Sequence, residues 1–201
     1  MRFVIAILLT MPLLVSCAGC GATTCGTTAD DRRRGRPERW AEPIENRPGL
    51  PNLFKVSDRL YRGAQPEDAG FAQLAAMGIR TVVNLRTFHS DRDACREHGL
   101  EYVKITAQAW EAETEEIVEF LKIAVDPGRR PVFVHCRHGA DRTGLMVAAY
   151  RVVMESWSKE EAIEEMTRGG FGYHTIWANL VSCLKSMDTE ALRQAVLARK
   201  K

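Results

Sequence analysis

Residues 131–144 read PVFVHCRHGADRTG, and the architecture of the chain can be inferred from this segment and its flanks. The run Pro131–Val134 is continuously apolar, which is typical of a strand buried on both faces of a parallel sheet. The run Leu145–Met154 is apolar nearly all round, which predicts a buried helix. The polar residues 135–144 are therefore predicted to form a loop between a buried strand and a buried helix.

Strands and helices alternate along the chain on either side of this loop. β-Branched runs and alternating patterns predict further strands at 53–56, 60–62, 80–85 and 102–105. Apolar spacing, turn residues and capping residues predict helices at 66–77, 91–99, 114–125, 158–169, 174–187 and 188–199. This order predicts one α/β domain, residues 52–201, whose central, mostly parallel sheet is flanked by helices on both faces.

Three of the helix starts carry capping signals. Asp91 and Thr114 are predicted N-caps, because their side-chain oxygens can accept hydrogen bonds from the free N–H groups of a first turn. Ser158 and Glu161 have the spacing of a capping box, in which each side chain bonds the other residue's backbone N–H.

The loop 135–144 carries the residue types of nucleophilic phosphate chemistry. Backbone N–H groups of a loop that enters a helix bind anions, and Gly139 permits the close approach that such a cradle needs. The same N–H groups favour the thiolate of Cys136, so this cysteine is the predicted nucleophile. Six residues later, the planar guanidinium of Arg142 can hold two phosphate oxygens and offset charge in the transition state.

The remaining residues of the loop have predicted supporting roles. The Thr143 hydroxyl can donate a hydrogen bond to the Cys136 sulfur and so help it leave a phosphoryl group. His135 is predicted to support the loop by hydrogen bonding rather than to act as a base. Residues predicted to bind the substrate are Arg137, His138, Gly139, Ala140 and Thr143. The side chains of Arg137 and His138 are equally compatible with solvent and with substrate.

Positions 135–143 contain the pattern His-Cys-x5-Arg-Thr, which resembles the signature of the cysteine-dependent phosphatases. The chain looks like the dual-specificity branch of that superfamily, whose members are compact single domains and include bacterial proteins. Further similarity lies at 60–66, 78–86 and 170–174, so the resemblance covers about residues 52–187. It implies a metal-independent phosphomonoester hydrolase that acts through a phosphocysteine intermediate.

The resemblance leaves the substrate open. Phosphotyrosine or mixed phosphoprotein substrates are the default for this branch, and inositol phosphates or phosphoinositides are the main alternative. A catalytically inactive phosphate-binding module is a further alternative, but it is disfavoured because both Cys136 and Arg142 are present. A sulfurtransferase or arsenate reductase is disfavoured by His135 and by the Arg142-Thr143 ending of the loop.

The general acid departs from the family pattern. The leaving oxygen needs a proton, which an aspartate from a mobile loop upstream of the cysteine usually supplies in this family. The corresponding residues 105–114, ITAQAWEAET, contain no aspartate. Asp141, where myotubularin-type and Sac-type lipid phosphatases also carry an aspartate, is therefore the predicted acid, and Glu111 or Glu113 is the alternative. The purely structural interpretation pairs Asp141 with an arginine or with the helix N-terminus.

The composition excludes several classes of protein. A chain of 201 residues that is 45% hydrophobic and 27% charged suits one globular domain of ordinary size with a tail. A formal net charge of +2 gives no electrostatic footprint for nucleic acid, so no nucleic-acid partner is predicted. Six cysteines are too few for a disulfide scaffold. No set of ligands has metal-site spacing, so neither a metal nor a cofactor is predicted.

The first 17 residues, MRFVIAILLTMPLLVSC, combine a basic start with an apolar run. The run is shorter than the roughly 20 residues of a membrane-spanning helix and fits the core of a secretory signal peptide. Its end, LVSC, resembles the lipobox of bacterial lipoproteins, which implies a signal peptide at 1–16 and a lipid anchor at Cys17. Ala18 in place of an aspartate favours the outer membrane and a periplasm-facing protein, and an ordinary signal peptide is the alternative.

Residues 17–51 show no hydrophobic periodicity and are rich in Gly, Thr, Arg and Pro. They are predicted to form a disordered tether between the anchor and the domain. A location in the cell envelope makes small phosphoesters, lipids and host molecules possible substrates beside phosphoproteins. The sequence carries no signal for an oligomeric state.

Overall fold

The computed structural model of the chain describes residues 36–109 and 113–198. Within them, six strands form one sheet: β1 Glu42–Pro43, β2 Phe54–Ser57, β3 Leu60–Gly63, β4 Thr81–Asn84, β5 Glu101–Lys104 and β6 Val132–His135. The helices of the same residues are α1 Asp68–Ala76, α2 Arg92–Glu97, α3 Thr114–Val125, α4 Asp141–Met154, α5 Lys159–Arg168, α6 Ala178–Ser186 and α7 Thr189–Leu197. A 3-10 turn spans Thr175–Trp177.

The sheet has the strand order β1-β2-β3-β6-β4-β5. Strands β3, β6, β4 and β5 run parallel, and β2 and β1 extend the sheet antiparallel at one edge. Val82 and Phe133 pack with residues of α1 and α2 on one face, whereas Val83 and Val134 pack with residues of α3 to α7 on the other. The predicted α/β domain with a mostly parallel sheet and helices on both faces is thereby confirmed.

Helix α4 begins earlier than predicted. It starts at Asp141 rather than at Leu145, so Asp141, Arg142 and Thr143 form its first turn. The irregular part of the loop is correspondingly short, from Cys136 to Ala140. The free N–H groups of the helix start and of this loop therefore lie together.

Asp91 is the N-cap residue of α2 as predicted, but its side chain bonds no first-turn N–H. The predicted cap of α3 is wrong, because Glu113 and not Thr114 is its N-cap residue, and the Glu113 side chain bonds no first-turn N–H either. The capping box of Ser158 and Glu161 at the start of α5 is confirmed, with both reciprocal hydrogen bonds present. The helix predicted at 174–187 is divided into the 3-10 turn and α6.

The prediction of a disordered tether up to residue 51 is wrong for residues 36–51. Strand β1 pairs with β2, and Ala41 and Leu50 are buried. The Ala41 N–H donates to Glu165 Oε1 at 2.6 Å, and Arg36 donates to the Gly169 carbonyl at 2.7 Å. The sequence could not predict β1, because a strand of two residues is too short to show an alternation of apolar and polar residues.

The predicted signal peptide and anchor, residues 1–17, and the rest of the predicted tether lie outside the described residues. In the part of the chain that the structure describes, no helix combines the length and the apolar character that a membrane crossing requires.

Candidate active site

The predicted loop lies at the carboxyl edge of the parallel strands, between the ends of β3 and β4. We call residues 136–142 the anion loop. The Leu85 N–H donates to the His135 carbonyl at 2.9 Å, and the Gln65 N–H donates to the Arg137 carbonyl at 3.2 Å. Both neighbouring strands therefore fix the loop where ligands of open α/β sheets usually bind.

Gly139 is required by the path of the anion loop. Its φ of +69° lies in the left-handed region, and an added Cβ would lie 2.3 Å from the carbonyl carbon and oxygen of Gly63. No other residue type fits between the two backbones without displacing one of them. The predicted close approach of the backbone at Gly139 is thus present, although the partner is the end of β3.

Arg62, on β3, holds the anion loop from inside the protein. Its Nη2 donates to the Gly139 carbonyl at 2.7 Å and approaches the Ala140 carbonyl at 3.4 Å, while the guanidinium lies 3.7 Å from the centre of the Phe171 ring. Burial lowers the pKa of Arg62 to about 10, against the opposing influence of the Glu165 and Cys136 charges. This role of Arg62 could not be predicted from the sequence, because Arg62 and Gly139 are 77 positions apart.

Cys136 and Arg142 lie at the two ends of the anion loop. Cys136 is a free thiol with 2% of its surface exposed. Arg142 is half-buried and its Nη1 donates to the carbonyls of Leu85 at 3.2 Å and Ala107 at 3.3 Å. The guanidinium is therefore fixed by the loops that follow β4 and β5.

The Thr143 hydroxyl is buried and has no hydrogen-bond partner among the described residues. The predicted bond to the Cys136 sulfur is therefore not formed in this structure. A buried hydroxyl without a partner is uncommon in folded proteins and is often associated with function.

His135 and Asp91 form a polar support under the anion loop. His135 Nδ1 lies 3.2 Å from the Cys136 carbonyl oxygen, and Nε2 lies 3.1 Å from Asp91 Oδ2. Burial raises the pKa of Asp91, but the contact with His135 and its charge, with a hydrogen bond from Gln65, outweigh that effect and hold the pKa below its usual range. These buried contacts occupy the Asp91 carboxylate, which explains why it does not cap α2.

The other residues predicted to bind the substrate differ in exposure. The side chains of Arg137 and His138 are exposed, whereas Gly139 and Ala140 are buried. Asn52 donates through Nδ2 to the His138 carbonyl and to the Phe171 carbonyl, at 2.9 Å each. The anion loop is thus tied to the segment that follows α5.

Asp141, the predicted acid, is bound on both carboxylate oxygens by His174. Oδ1 accepts a hydrogen bond from the His174 backbone N–H at 2.9 Å, and Oδ2 lies 2.8 Å from His174 Nδ1. Only 9% of the Asp141 side chain is exposed, against 48% of the His174 side chain. The purely structural interpretation predicted that Asp141 pairs with an arginine or with the helix N-terminus, whereas the observed partner is His174. The role of Asp141 as the acid stays a prediction.

The structure describes only one of the two alternative acids, Glu111 and Glu113. Glu113 is exposed at the start of α3. Glu111 lies outside the described residues, so nothing in the structure bears on it.

A further group of side chains, not predicted from the sequence, meets at the surface beside the anion loop. The ligand atoms of His138, Asp141 and His174 lie within 4.8 Å of one another, close enough to hold a metal ion. The three residues do not have metal-site spacing in the sequence, because His174 is 33 residues from Asp141 and contacts it only in the folded protein.

Comparison with known proteins places the chain in a family. A family model described as DSP-PTPase phosphatase fused to NAD+ kinase matches residues 52–182. The dual specificity protein phosphatase TpbA of Pseudomonas aeruginosa (strain UCBPP-PA14) is 33% identical over 162 residues, which are 80% of this chain and 72% of that protein. The chain belongs to the dual-specificity phosphatase family. The predicted family and the predicted cysteine-based phosphatase activity are confirmed.

Solved structures agree with the fold of this phosphatase. The crystal structure of P. aeruginosa TpbA matches it with a TM-score of 0.72 at 31% identity, covering 81% of this chain and 99% of that one. A cysteine-to-serine variant of TpbA has been solved in complex with phosphotyrosine. The inositol diphosphatase DSP3 of Arabidopsis thaliana is 25% identical over 158 residues, which are 73% of this chain and 75% of that protein.

Proposed function

We propose that this phosphatase hydrolyses phosphotyrosine and related phosphomonoesters of proteins through a phosphocysteine on Cys136. The observation that carries the proposal is the anion loop, in which a buried thiol and an arginine flank a backbone turn that only glycine fits. The similarity to TpbA, which has been solved with phosphotyrosine, supports the substrate class.

The proposed reaction has two steps. The Cys136 thiolate attacks phosphorus, the bond to the leaving oxygen breaks, and that oxygen takes a proton from Asp141, which exchanges its contact with His174 for one with the substrate. Water then attacks the phosphocysteine and returns a proton to Asp141, and the sulfur leaves as a thiolate. Arg142 and the loop N–H groups stabilise the charge on the phosphoryl oxygens in both steps. A rotation of Thr143 lets its hydroxyl donate to the departing sulfur.

Inositol phosphates are a second candidate substrate class. Arg137 and His138 are exposed on the anion loop, and the half-exposed ring of His174 lies beside the His138 ring. Such groups suit a substrate that carries several phosphates. The similarity to an inositol diphosphatase of A. thaliana supports this alternative.

The decisive experiment compares the full-length chain with its Cys136→Ser variant on p-nitrophenyl phosphate, a phosphotyrosine peptide and an inositol polyphosphate, with EDTA present. We expect turnover by the wild type and none by Cys136→Ser. The control is Cys183→Ser, which changes another free thiol, on α6 and outside the anion loop, and should keep the wild-type rates. Phosphotyrosine should be the better of the two natural substrate types, and a preference for the inositol phosphate would establish the second candidate instead. A wild-type chain inactive on all three, or one that EDTA inactivates, would contradict the proposal.

We further propose that Cys17 carries a lipid that anchors this phosphatase in the cell envelope, with the domain facing the periplasm. The apolar run that ends in LVSC supports this location. Cys17→Ser should move the protein from the membrane fraction to the soluble fraction, or leave it unprocessed. A variant that still sediments with membranes as the wild type does would refute the anchor.

A further inference from the structure

We propose that His138, Asp141 and His174 bind a transition-metal cation such as Zn²⁺, and that the bound cation inhibits the phosphatase. Their ligand atoms lie within 4.8 Å of one another. Two imidazoles and one carboxylate are a set of protein ligands that zinc accepts in sites with an open fourth position. The proposed cation takes no part in the phosphocysteine reaction.

The three ligands are close to the spacing that zinc requires. Protein ligands roughly 2.0–2.1 Å from a tetrahedral zinc ion lie about 3.4 Å from one another. His174 Nδ1 and Asp141 Oδ2 are 2.8 Å apart, so a cation bound between them replaces the proton that they share, which is released to solvent. The rings of His138 and His174 have centroids 5.4 Å apart. Because both rings are exposed, side-chain rotations can bring their nitrogens around one ion while the backbone stays in place.

The backbone around the ligands is held firmly. Asp141 is the first residue of α4, and its Oδ1 accepts the His174 backbone N–H. Asn52 bonds the carbonyls of both His138 and Phe171, so it links the anion loop to the segment that carries His174. A site held in this way loses little conformational freedom when an ion binds.

The surrounding charges also permit a cation. Asp141 supplies a carboxylate, and the His138 ring has no hydrogen-bond partner within the described residues, so its nitrogens are free to bind. Among the described residues, the hydrogen bonds of the Arg142 guanidinium go to the Leu85 and Ala107 carbonyls and not to the Asp141 carboxylate. That carboxylate is therefore not neutralised by a bond from Arg142.

A cation at this position would block catalysis in two ways. His138 and Asp141 are two and five residues after Cys136, so the ion lies at the mouth of the anion loop and obstructs the leaving group. Coordination also occupies the Asp141 carboxylate, which then cannot give a proton to the leaving oxygen. Removal of the ion by a chelator should free the mouth of the anion loop and the Asp141 carboxylate, and so restore activity.

The direct test measures Zn²⁺ binding to the full-length Cys136→Ser chain by calorimetry, and Co²⁺ binding by its visible absorption. Removing the Cys136 thiolate excludes metal binding by that sulfur. We expect one ion with nitrogen and oxygen ligands. Adding His138→Gln or His174→Gln should weaken binding at this site by at least about 100-fold. A matched control is His98→Gln in the same background: His98 is the C-cap residue of α2 and does not belong to the three-residue cluster, so its substitution should leave binding unchanged.

Binding is measured without turnover, so the result is independent of whether the proposed substrate class is right. His138→Gln removes a ring that bonds no other described residue, so it tests the site without disturbing the contact between Asp141 and His174. Thermal unfolding of each variant checks that the fold is kept. Unchanged affinity and stoichiometry in the His138 and His174 variants, or a cobalt spectrum with only sulfur ligands, would overturn the proposal.

Inhibition, which rests on the proposed phosphatase activity, is measured with Cys136 intact. Zn²⁺ should inhibit hydrolysis of p-nitrophenyl phosphate, and EDTA should restore it. Relative to its own zinc-free rate, His138→Gln should need at least about ten times more Zn²⁺ for half inhibition, since a ligand is lost. If Zn²⁺ inhibits the wild type and His138→Gln with equal potency, the inhibitory ion binds elsewhere and this part of the proposal is overturned.

Discussion

Gly139 occupies a place in the anion loop where a single methyl group does not fit. Gly99 provides a matched control, because its φ is also +69° but nothing lies within 4 Å of an added Cβ. Gly99→Ala should cost about 1 kcal/mol of unfolding free energy and keep full activity. Gly139→Ala should destabilise the fold by more and abolish hydrolysis of p-nitrophenyl phosphate. Thermal unfolding and turnover of the two variants measure the difference, and similar losses in both would contradict the steric argument.

Asp141 can be tested as an acid by its dependence on the leaving group. Loss of an acid slows the release of a poor leaving group more than that of a good one. Asp141→Asn should therefore reduce kcat by about 10²-fold or more on an alkyl phosphate, and by clearly less on p-nitrophenyl phosphate. Glu113→Gln should leave both rates near the wild-type values. Equal losses on the two substrates would show that Asp141 has a structural role only.

Asp91 links stability to pH. Its pKa in the folded protein is below the value of about 3.9 of an unfolded chain, so it stabilises the fold above that pH. This contribution should decline as the pH falls from about 4 through the lower folded value. Asp91→Asn should lower the unfolding free energy at pH 7 and flatten its decline below pH 4. Asp93 is an exposed neighbour, and Asp93→Asn should change neither the unfolding free energy at pH 7 nor its decline below pH 4, as measured by urea titration. If the unfolding free energy of Asp91→Asn falls with pH as steeply as that of the wild type, Asp91 is not the group responsible.

Single residues also show what could be read from the sequence. The proposed nucleophile Cys136 and the proposed phosphate-binding residue Arg142 could be predicted because both lie in one short segment with the spacing of the family signature. Arg62 and His174 were not, because each acts through a contact that only the tertiary fold creates. The exposed rings and buried guanidinium of such residues look like ordinary polar residues in the sequence.

At the scale of elements, α5 carries a buried ion pair and an exposed one side by side. Glu165 receives two hydrogen bonds from Arg151 at 2.9 Å and is 1% exposed, whereas Glu164 pairs with Arg168 at the surface. Removing one partner of a buried pair costs about 3–5 kcal/mol, and an exposed pair contributes about 0.5 kcal/mol or less.

This contrast predicts different outcomes for two neighbouring substitutions. Glu165→Gln leaves Arg151 without its full carboxylate partner, so the unfolding free energy should fall by about 2 kcal/mol or more. Glu164→Gln should lower it by about 0.5 kcal/mol or less. Urea unfolding at pH 7 measures both, and equal effects would mean that the buried pair contributes no more than the exposed one.

Helix boundaries were predictable where the signal is local and not where the side chain has a stronger partner elsewhere. The box of Ser158 and Glu161 was recognised because both of its hydrogen bonds lie within one turn. Asp91 has a capping residue's identity, but His135, Gln65 and Asn84 take its carboxylate. Propensity alone cannot reveal such competition.

At the scale of the whole molecule, residues 36–51 belong to the folded domain. A chain that begins at residue 52 loses strand β1, the buried Ala41 and Leu50, and the hydrogen bond that Ala41 gives Glu165. Burial of two such side chains and one buried hydrogen bond together amount to about 3 kcal/mol. We expect the chain 52–201 to unfold at a lower temperature than 36–201, as measured by calorimetry, and equal melting temperatures would show that the segment is dispensable.

The shortness of β1 has a consequence for self-association. Unpaired sheet edges are templates on which other chains can add a strand, and proline or charge protects them. One edge of this sheet is a two-residue strand that contains Pro43, and the other, β5, exposes Glu101 and Lys104. Removal of residues 36–51 uncovers β2, whose four residues FKVS include no proline. Light scattering should therefore find the intact domain free of edge-to-edge aggregates and the shortened one prone to them.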